Sequence, residues 1–338
     1  MVLFGVVTVV FLLFHALPGD PVSLIAGQRS DISTRQSITK ELGLDKPLHI
    51  QFLHYINDLS VISVHENTLE NKNKYEYKEF FNYGKQVVVV KWPYMRRSFQ
   101  TNKKVTEIIY DNMDDTLWLA FAAMVIASVL GISFGIIAAL NQNTFLDHLL
   151  ISISVLGISI PSFVSAIVIA MTFGYYLSDY TGLNLTGQLW VNDPIRGREL
   201  QLHNLILPAI TLGIRPLAII VQLTRSSMLE VLSLDYIRTA YAKGLNAYRV
   251  VLKHALKNSM NPVITAVSGW LASLMAGAFF VEYIFDWKGL GFTTIKAVQS
   301  LDFPVVMGVT IFVATIFVII NIFVDLLYAA IDPRIRLS

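Results

Sequence analysis

The chain has no cysteine, which excludes disulfides, thiol catalysis and thiolate-bound metal. It is also poor in charge: Asp, Glu, Lys and Arg make up 15% of its 338 residues, well below the roughly 25% usual for soluble proteins. No Gly-x4-Gly-Lys-Ser/Thr occurs, so nucleotide phosphates are not held here by a P-loop. His-Glu-x-x-His is also missing, which weakens a membrane-metalloprotease reading. His49 and His54 stand alone, without metal-ligand spacing. A net charge of +2 is too small to imply a nucleic acid partner. What the chain does have is apolar surface. Hydrophobic residues reach 54%, gathered into runs long enough to cross a bilayer, and this marks an integral membrane protein.

The first run, Val2–Leu17, is barely long enough to cross about 30 Å of hydrocarbon. A cleaved signal peptide is its rival reading. No positive n-region precedes the run and no small-x-small site precedes Pro18-Gly-Asp-Pro21, so a retained span ending in a turn is expected. Five further runs follow at Thr116–Leu140, Leu149–Leu177, Leu205–Leu223, Val263–Phe285 and Val305–Ile331. The expected fold class is therefore an all-α integral membrane protein of six transmembrane helices. Residues 1–17 form the first helix, 18–115 a long polar region and 116–338 a five-helix core. Within 18–115, helices are expected at Ser37–Leu44 and Leu48–Leu59 and a strand at Gln86–Trp92, with an exposed insertion near 61–95. Small residues at helical spacing, such as Gly131 and Gly135, let helix backbones approach closely in lipid.

Charges inside the runs are few. Arg225, Glu282 and Asp325 sit near span ends, where they can snorkel or pair. Arg215 is deeper, beside Pro216, and is the best candidate for a buried structural pair. Pro161, Pro208, Pro216, Pro262 and Pro304 lie in or at the ends of spans, where they kink helices or release backbone groups.

One stretch, Ser233 to Pro262, has a different character: it is charged and amphipathic. A first short helix, capped by Ser233 or Asp235, stops at Gly244, where a left-handed residue is cheapest. Its apolar face carries Tyr236, Ile237, Ala240 and Tyr241; Arg238, Thr239, Ala242 and Lys243 lie opposite. Asn246 can cap a second helix with Arg249, Lys253 and Lys257 in one basic row. Docking of a partner and adsorption to anionic lipid are both open on charge and periodicity alone. The basic residues of this loop, with Arg334 and Arg336, place it and the C-terminus in the cytoplasm. Counting back puts the N-terminus inside and residues 18–115 outside.

The same segment resembles the EAA loop of permease subunits of bacterial ABC importers, specifically the B-type permease of the dipeptide, oligopeptide and nickel group. The likeness runs through Asp235-Tyr-Ile-Arg-Thr-Ala, Ala242-Lys-Gly-Leu245, His254-Ala-Leu-Lys-Asn258 and Pro262. It extends to His15-Ala-Leu-Pro-Gly-Asp-Pro21, Glu41-Leu-Gly-Leu-Asp45, Ser159-Ile-Pro-Ser-Phe163, Trp287-Lys-Gly-Leu-Gly291, Asp302-Phe-Pro-Val305 and Asp332-Pro-Arg-Ile-Arg336. Val61–Met95 looks like an insertion relative to that group, and Tyr241 stands where an Arg is common. The resemblance implies a non-catalytic permease core with a cytoplasmic coupling loop, 226–261, between the fourth and fifth helices. It implies that Asp235, Tyr236, Ile237, Arg238, Thr239, Ala240, Tyr241, Ala242, Lys243, Gly244 and Leu245 dock an ATPase. The implied partners are a second related permease, two cytoplasmic ATPases that bind ATP and magnesium in place of this chain, and an extracytoplasmic binding protein. The implied location is the bacterial inner membrane, and the implied cargo is peptide, with nickel or another small solute as the alternative. An ATP-independent channel or carrier, or a membrane scaffold, are the readings from other classes.

Overall fold

A computed structural model describes residues 1–16, 22, 39, 43–193, 197–276 and 278–331. The Pro18–Pro21 turn, most of Ser37–Leu44 and the Asp332–Arg336 motif lie outside the described residues, as do the side chain of Asp325 and the tail arginines. The chain divides into two compact units. One contains Met1–Asp111 and Thr294–Thr315, the other Asn112–Thr293 and Ile316–Ser338.

In the first unit, α1 (Val2–Ala16) packs Phe11 and Phe14 against Tyr55 of α2 (Leu48–Leu59) and against Phe303, Met307 and Ile311. The Val61–Met95 stretch, expected as an exposed insertion, has regular structure. It folds as β1 (Ile62–Glu66), α3 (Leu69–Tyr75), β2 (Lys78–Tyr83) and β3 (Gln86–Val90), an antiparallel sheet of order β1-β3-β2. The β-branched run forms the central strand, with Val87 and Val89 fully buried against Tyr77. Asp302 accepts hydrogen bonds from Ser98 Oγ at 2.5 Å and the Phe99 amide at 2.9 Å, tying the Asp-Phe-Pro motif to the chain ahead of the next helix.

The second unit is built on long helices: α4 (Val105–Leu140, whose first turns belong to the first unit), α5 (Phe145–Ser159), and α6 (Ser162–Ile169, continuing π-helical over Ala170–Tyr176). After the turn α7 (Ser178–Thr181) and a hairpin, β4 (Trp190–Asp193) with β5 (Gly197–Leu200), comes α8 (His203–Leu232). Then follow α9 (Asp235–Ala242) and α10, which begins at Ala247–Arg249, turns π-helical over Val250–Ala255 and continues through Leu256–Ala276. The last helices of the chain are α11 (Phe279–Ile284), in this unit, and α12 (Leu290–Gln299) and α13 (Phe303–Ile331), whose residues are divided between the two units.

Three described helices are long and apolar enough to cross a membrane: α4, α8 and the Phe303–Val324 part of α13. The expected span at Leu149–Leu177, with a kink foreseen at Pro161, is α5 and α6, bent by 111°. Ile160 is held extended ahead of Pro161, because a residue before proline is disfavoured in the helical region. The expected span Val263–Phe285 is divided between α10 and α11, and α1 is shorter than a full span. Helix α8 packs against α5, α6 and α10. Its contact with α4 is very close: a Cβ on Gly131 would lie 2.8 Å from Ile220, and one on Gly135 2.5 Å from Thr224. The GxxxG reading holds for this packing role.

Candidate functional site

The amphipathic Ser233–Pro262 segment sits on a cushion of helix ends. Ile237 and Ala240 of α9 are buried among Met228 and Val231 of α8, Ala139 of α4 and Val250, Val251 and Ala255 of α10. Tyr236 and Tyr241, read as part of the apolar face, lie at its edges and are exposed. Tyr236 Oη accepts from Asn258 Nδ2 at 2.8 Å and reaches the His254 carbonyl at 3.3 Å, which ties the small helix to α10. Arg238, Thr239, Ala242 and Lys243 face outward, as the 3.6-residue period requires, and Asp235 is exposed beside them. The Arg238–Asp235 pair at 3.5 Å is open to solvent, so it contributes little.

The helix ends are made by backbone geometry. Neither Ser233 nor Asp235 caps the first turn; the capping position falls to extended Leu234, which has no side-chain acceptor. At the other end Gly244 has φ +79°, its amide donates to Tyr241 O and the Leu245 amide donates to Ala240 O. Together these two bonds make a Schellman closure. Asn246 caps the next helix as expected, its Oδ1 accepting from the Arg249 amide at 2.9 Å. Arg249, Lys253 and Lys257 are all exposed, with Tyr248 among them.

Between α8 and the start of α5 lies a charge pair whose acidic partner the sequence reading missed. Arg225 Nε and NH2 donate to the two oxygens of Asp147, each at 2.7 Å. Asp147 is fully buried, and its Oδ2 also accepts from the amide of Asn143, a left-handed residue at φ +61°. Fork-to-carboxylate pairing of this kind fixes orientation as well as energy. The signal available was Thr144-x-x-Asp147, a helix-start signature in which Thr144 Oγ1 accepts from the Asp147 amide at 3.5 Å.

Glu282 does not snorkel, and among the described residues it pairs with no cation. Fully buried, it accepts from Thr116 Oγ1 at 2.8 Å and the Phe292 amide at 3.0 Å, while Thr116 Oγ1 accepts from the Leu290 amide. Trp287 is fully buried and donates its indole N–H to Asp115 O at 2.8 Å. The Trp287–Gly291 motif is thus a turn wrapped around a carboxylate. Arg215 also departs from its expected role: among the described residues it has no ionic or hydrogen-bond partner. It is exposed on the wall of a cavity of about 110 Å³ shared by α6, α8 and α10. An arginine at the centre of a membrane helix costs about 3 kcal/mol on insertion scales, so leaving one unpaired calls for a use.

These features define a multi-span membrane protein that presents an exposed amphipathic helical knuckle. Residues 131–337 match the family described as the binding-protein-dependent transport system inner membrane component, and residues 1–120 match its N-terminal family. The chain belongs to this family of ABC importer permeases, as its motifs indicated. It is 36% identical over 355 residues to the dipeptide transport system permease protein DppB of Escherichia coli K12, covering 98% of this chain and 94% of that one. It is 36% identical over 334 residues to the glutathione transport system permease protein GsiC of the same strain, covering 99% and 94%. A chain of the MetNI methionine ABC transporter, solved in inward-facing conformations, has the same fold at TM-score 0.53 and 16% identity. It covers 67% of this chain and 97% of that chain.

Proposed function

We propose that this chain forms half of the translocation path of an ATP-driven peptide importer, with its ATPase motion entering through Asp235–Leu245. The observation that carries the proposal is mechanical. Helix α9 is seated by Ile237 and Ala240 on the ends of α4, α8 and α10, while Arg238, Thr239, Ala242 and Lys243 stay free for a partner. A push on the exposed face is therefore delivered to three long helices. The relatives that transport a dipeptide and glutathione support a peptide as cargo. Exposed Arg238, Lys243, Arg249, Lys253 and Lys257 support a cytoplasmic position for the knuckle. In this reading the chain crosses the inner membrane six times, with both termini cytoplasmic. The bent α5–α6 pair and the α10–α11 pair each count as one span, and residues 18–115 lie outside. A second permease completes the path, two ATPases hold the nucleotide and its magnesium, and a binding protein delivers the peptide.

The test is reconstitution in proteoliposomes with the neighbouring operon products and measurement of peptide uptake. Uptake is expected to require ATP and the ATPase subunits, and Gly244→Asp to abolish it while the protein still inserts. Uptake without the ATPases would refute the proposal. Uptake confined to nickel or another small solute would move it to the sister branch of the family.

A further inference from the structure

We propose that Arg215 is the carboxylate-binding group of a substrate subsite inside the translocation path. The proposal rests on the peptide-importer reading and names the part of the substrate that this chain holds. Arg215 lies about 18 Å along α8 from its first residue at ~1.5 Å per residue, well away from either end of the helix. The cavity it lines is half polar where a lipid-facing groove would be apolar: Ser162 and Ser165 of α6, Thr211 of α8, and Ser273 and Trp270 of α10 share the wall with Ile160, Leu212, Ile214 and Leu274. No acidic side chain lines it, so the guanidinium has no internal counter-ion among the described residues. Ser165 and Thr211 return their hydroxyls to the backbone carbonyls of Pro161 and Leu207, whereas Ser162 and Ser273 make no such bond among the described residues.

A planar fork of N–H donors facing neutral hydroxyls is matched by a carboxylate, which takes two parallel hydrogen bonds from arginine. Every unmodified peptide carries one at its C-terminus, whatever its side chains. A site of this chemistry holds one shared feature of many substrates and leaves sequence choice to the binding protein. The cavity also lies where the structure bends: Gly157, Ile160 and Ser162 bring both sides of the 111° break to its wall. Rearrangement of α6 against α8 would open or close the subsite.

The experiment uses the complete importer in proteoliposomes with a radiolabelled dipeptide. Arg215→Gln is expected to lower maximal uptake at saturating loaded binding protein at least tenfold. Arg215→Lys is expected to exceed the Gln variant at least threefold, because the positive charge is kept. Co-purification of the ATPase subunits confirms that both variants assemble. A wild-type importer with no ATP-dependent peptide uptake would overturn the importer reading itself. Wild-type uptake that Arg215→Gln leaves unchanged, or a Lys variant no better than Gln, would overturn only the carboxylate subsite. A second arm needs no variant: dipeptide binding to the wild-type permease–ATPase complex without binding protein. Competition by the free acid and not by the C-terminal amide supports the site. Equal competition by both, or no saturable binding, overturns it.

Discussion

Two glycine turns of the second unit use glycine for opposite reasons. At Gly244 the backbone is left-handed, φ +79°, and a Cβ would meet nothing within 4 Å. At Gly289 φ is ordinary, but a Cβ would lie 2.3 Å from Thr116 Oγ1 and 2.5 Å from Glu282 Oε2. The first turn needs a conformation and the second needs room. This difference follows from what each turn closes over. The knuckle at Gly244 covers an apolar cushion and is open to solvent on its other face, so its surroundings tolerate bulk. The turn at Gly289 is wrapped around a buried carboxylate whose oxygens are satisfied by nearby N–H and O–H groups, which leaves no volume for a methyl group.

The largest expected effect sharpens the contrast between burying apolar and charged groups. Arg225→Ala strips the bidentate partner from Asp147, and losing charge-assisted hydrogen bonds of this kind costs about 1.5–3 kcal/mol. Thermal unfolding of the purified complex should show the loss, and Arg225→Ala with Asp147→Ala should recover part of it. Recovery failing entirely would mean that the pair is not the source of the cost. Next comes Gly289→Ala, which overpacks the Glu282 site by about 1–3 kcal/mol. Its effect should shrink when Thr116→Ala is present, since the nearest clash is with the Thr116 hydroxyl. Gly244→Ala should be milder, about 1 kcal/mol, because only the left-handed backbone penalises it. If Gly244→Ala proves costlier than Gly289→Ala, the distinction between conformation and room is wrong.

The smallest effect concerns the sheet of the first unit. Burial holds His65 neutral down to about pH 4, with Lys91 nearby adding to the depression. An unfolded histidine takes its proton near 6.5. A folded-state value below the unfolded one means stability present above about pH 6.5 and lost as pH falls toward 4. Amide protection factors in β1–β3 should therefore fall across that window by ~0.5–1 kcal/mol, and the slope should flatten in His65→Gln. Asp58, raised by burial, works in the opposite sense, so the comparison with His65→Gln isolates the histidine. An unchanged slope would show that His65 is not the titrating group.

Legibility divided along the same line. Gly244, the Asn246 cap, the outward-facing Arg238–Lys243 set and the Gly131/Gly135 packing face were readable, because each is set by neighbours within about one helical turn or by a repeating spacing. The misassigned Ser233/Asp235 cap shows the limit of such rules: Leu234 took the position because burying Ile237 and Ala240 fixed where the helix starts. The strand at Gln86–Trp92 was visible in its β-branched run, but its two partner strands were not. Pro161 signalled a kink, and only the packing of α6 turned that kink into a 111° bend.

The sequence by itself determined the membrane class, the family motifs, the amphipathic knuckle and the glycine that ends it. These are properties of short segments and of their apolar spacing. Tertiary structure alone decided that Asp147 meets Arg225 78 residues away, that Glu282 is held by Thr116 across 166, and that Arg215 faces a polar cavity instead of a structural partner. Contacts between residues so far apart in the chain leave no period or local signature. They exist only once the helices that carry them have packed.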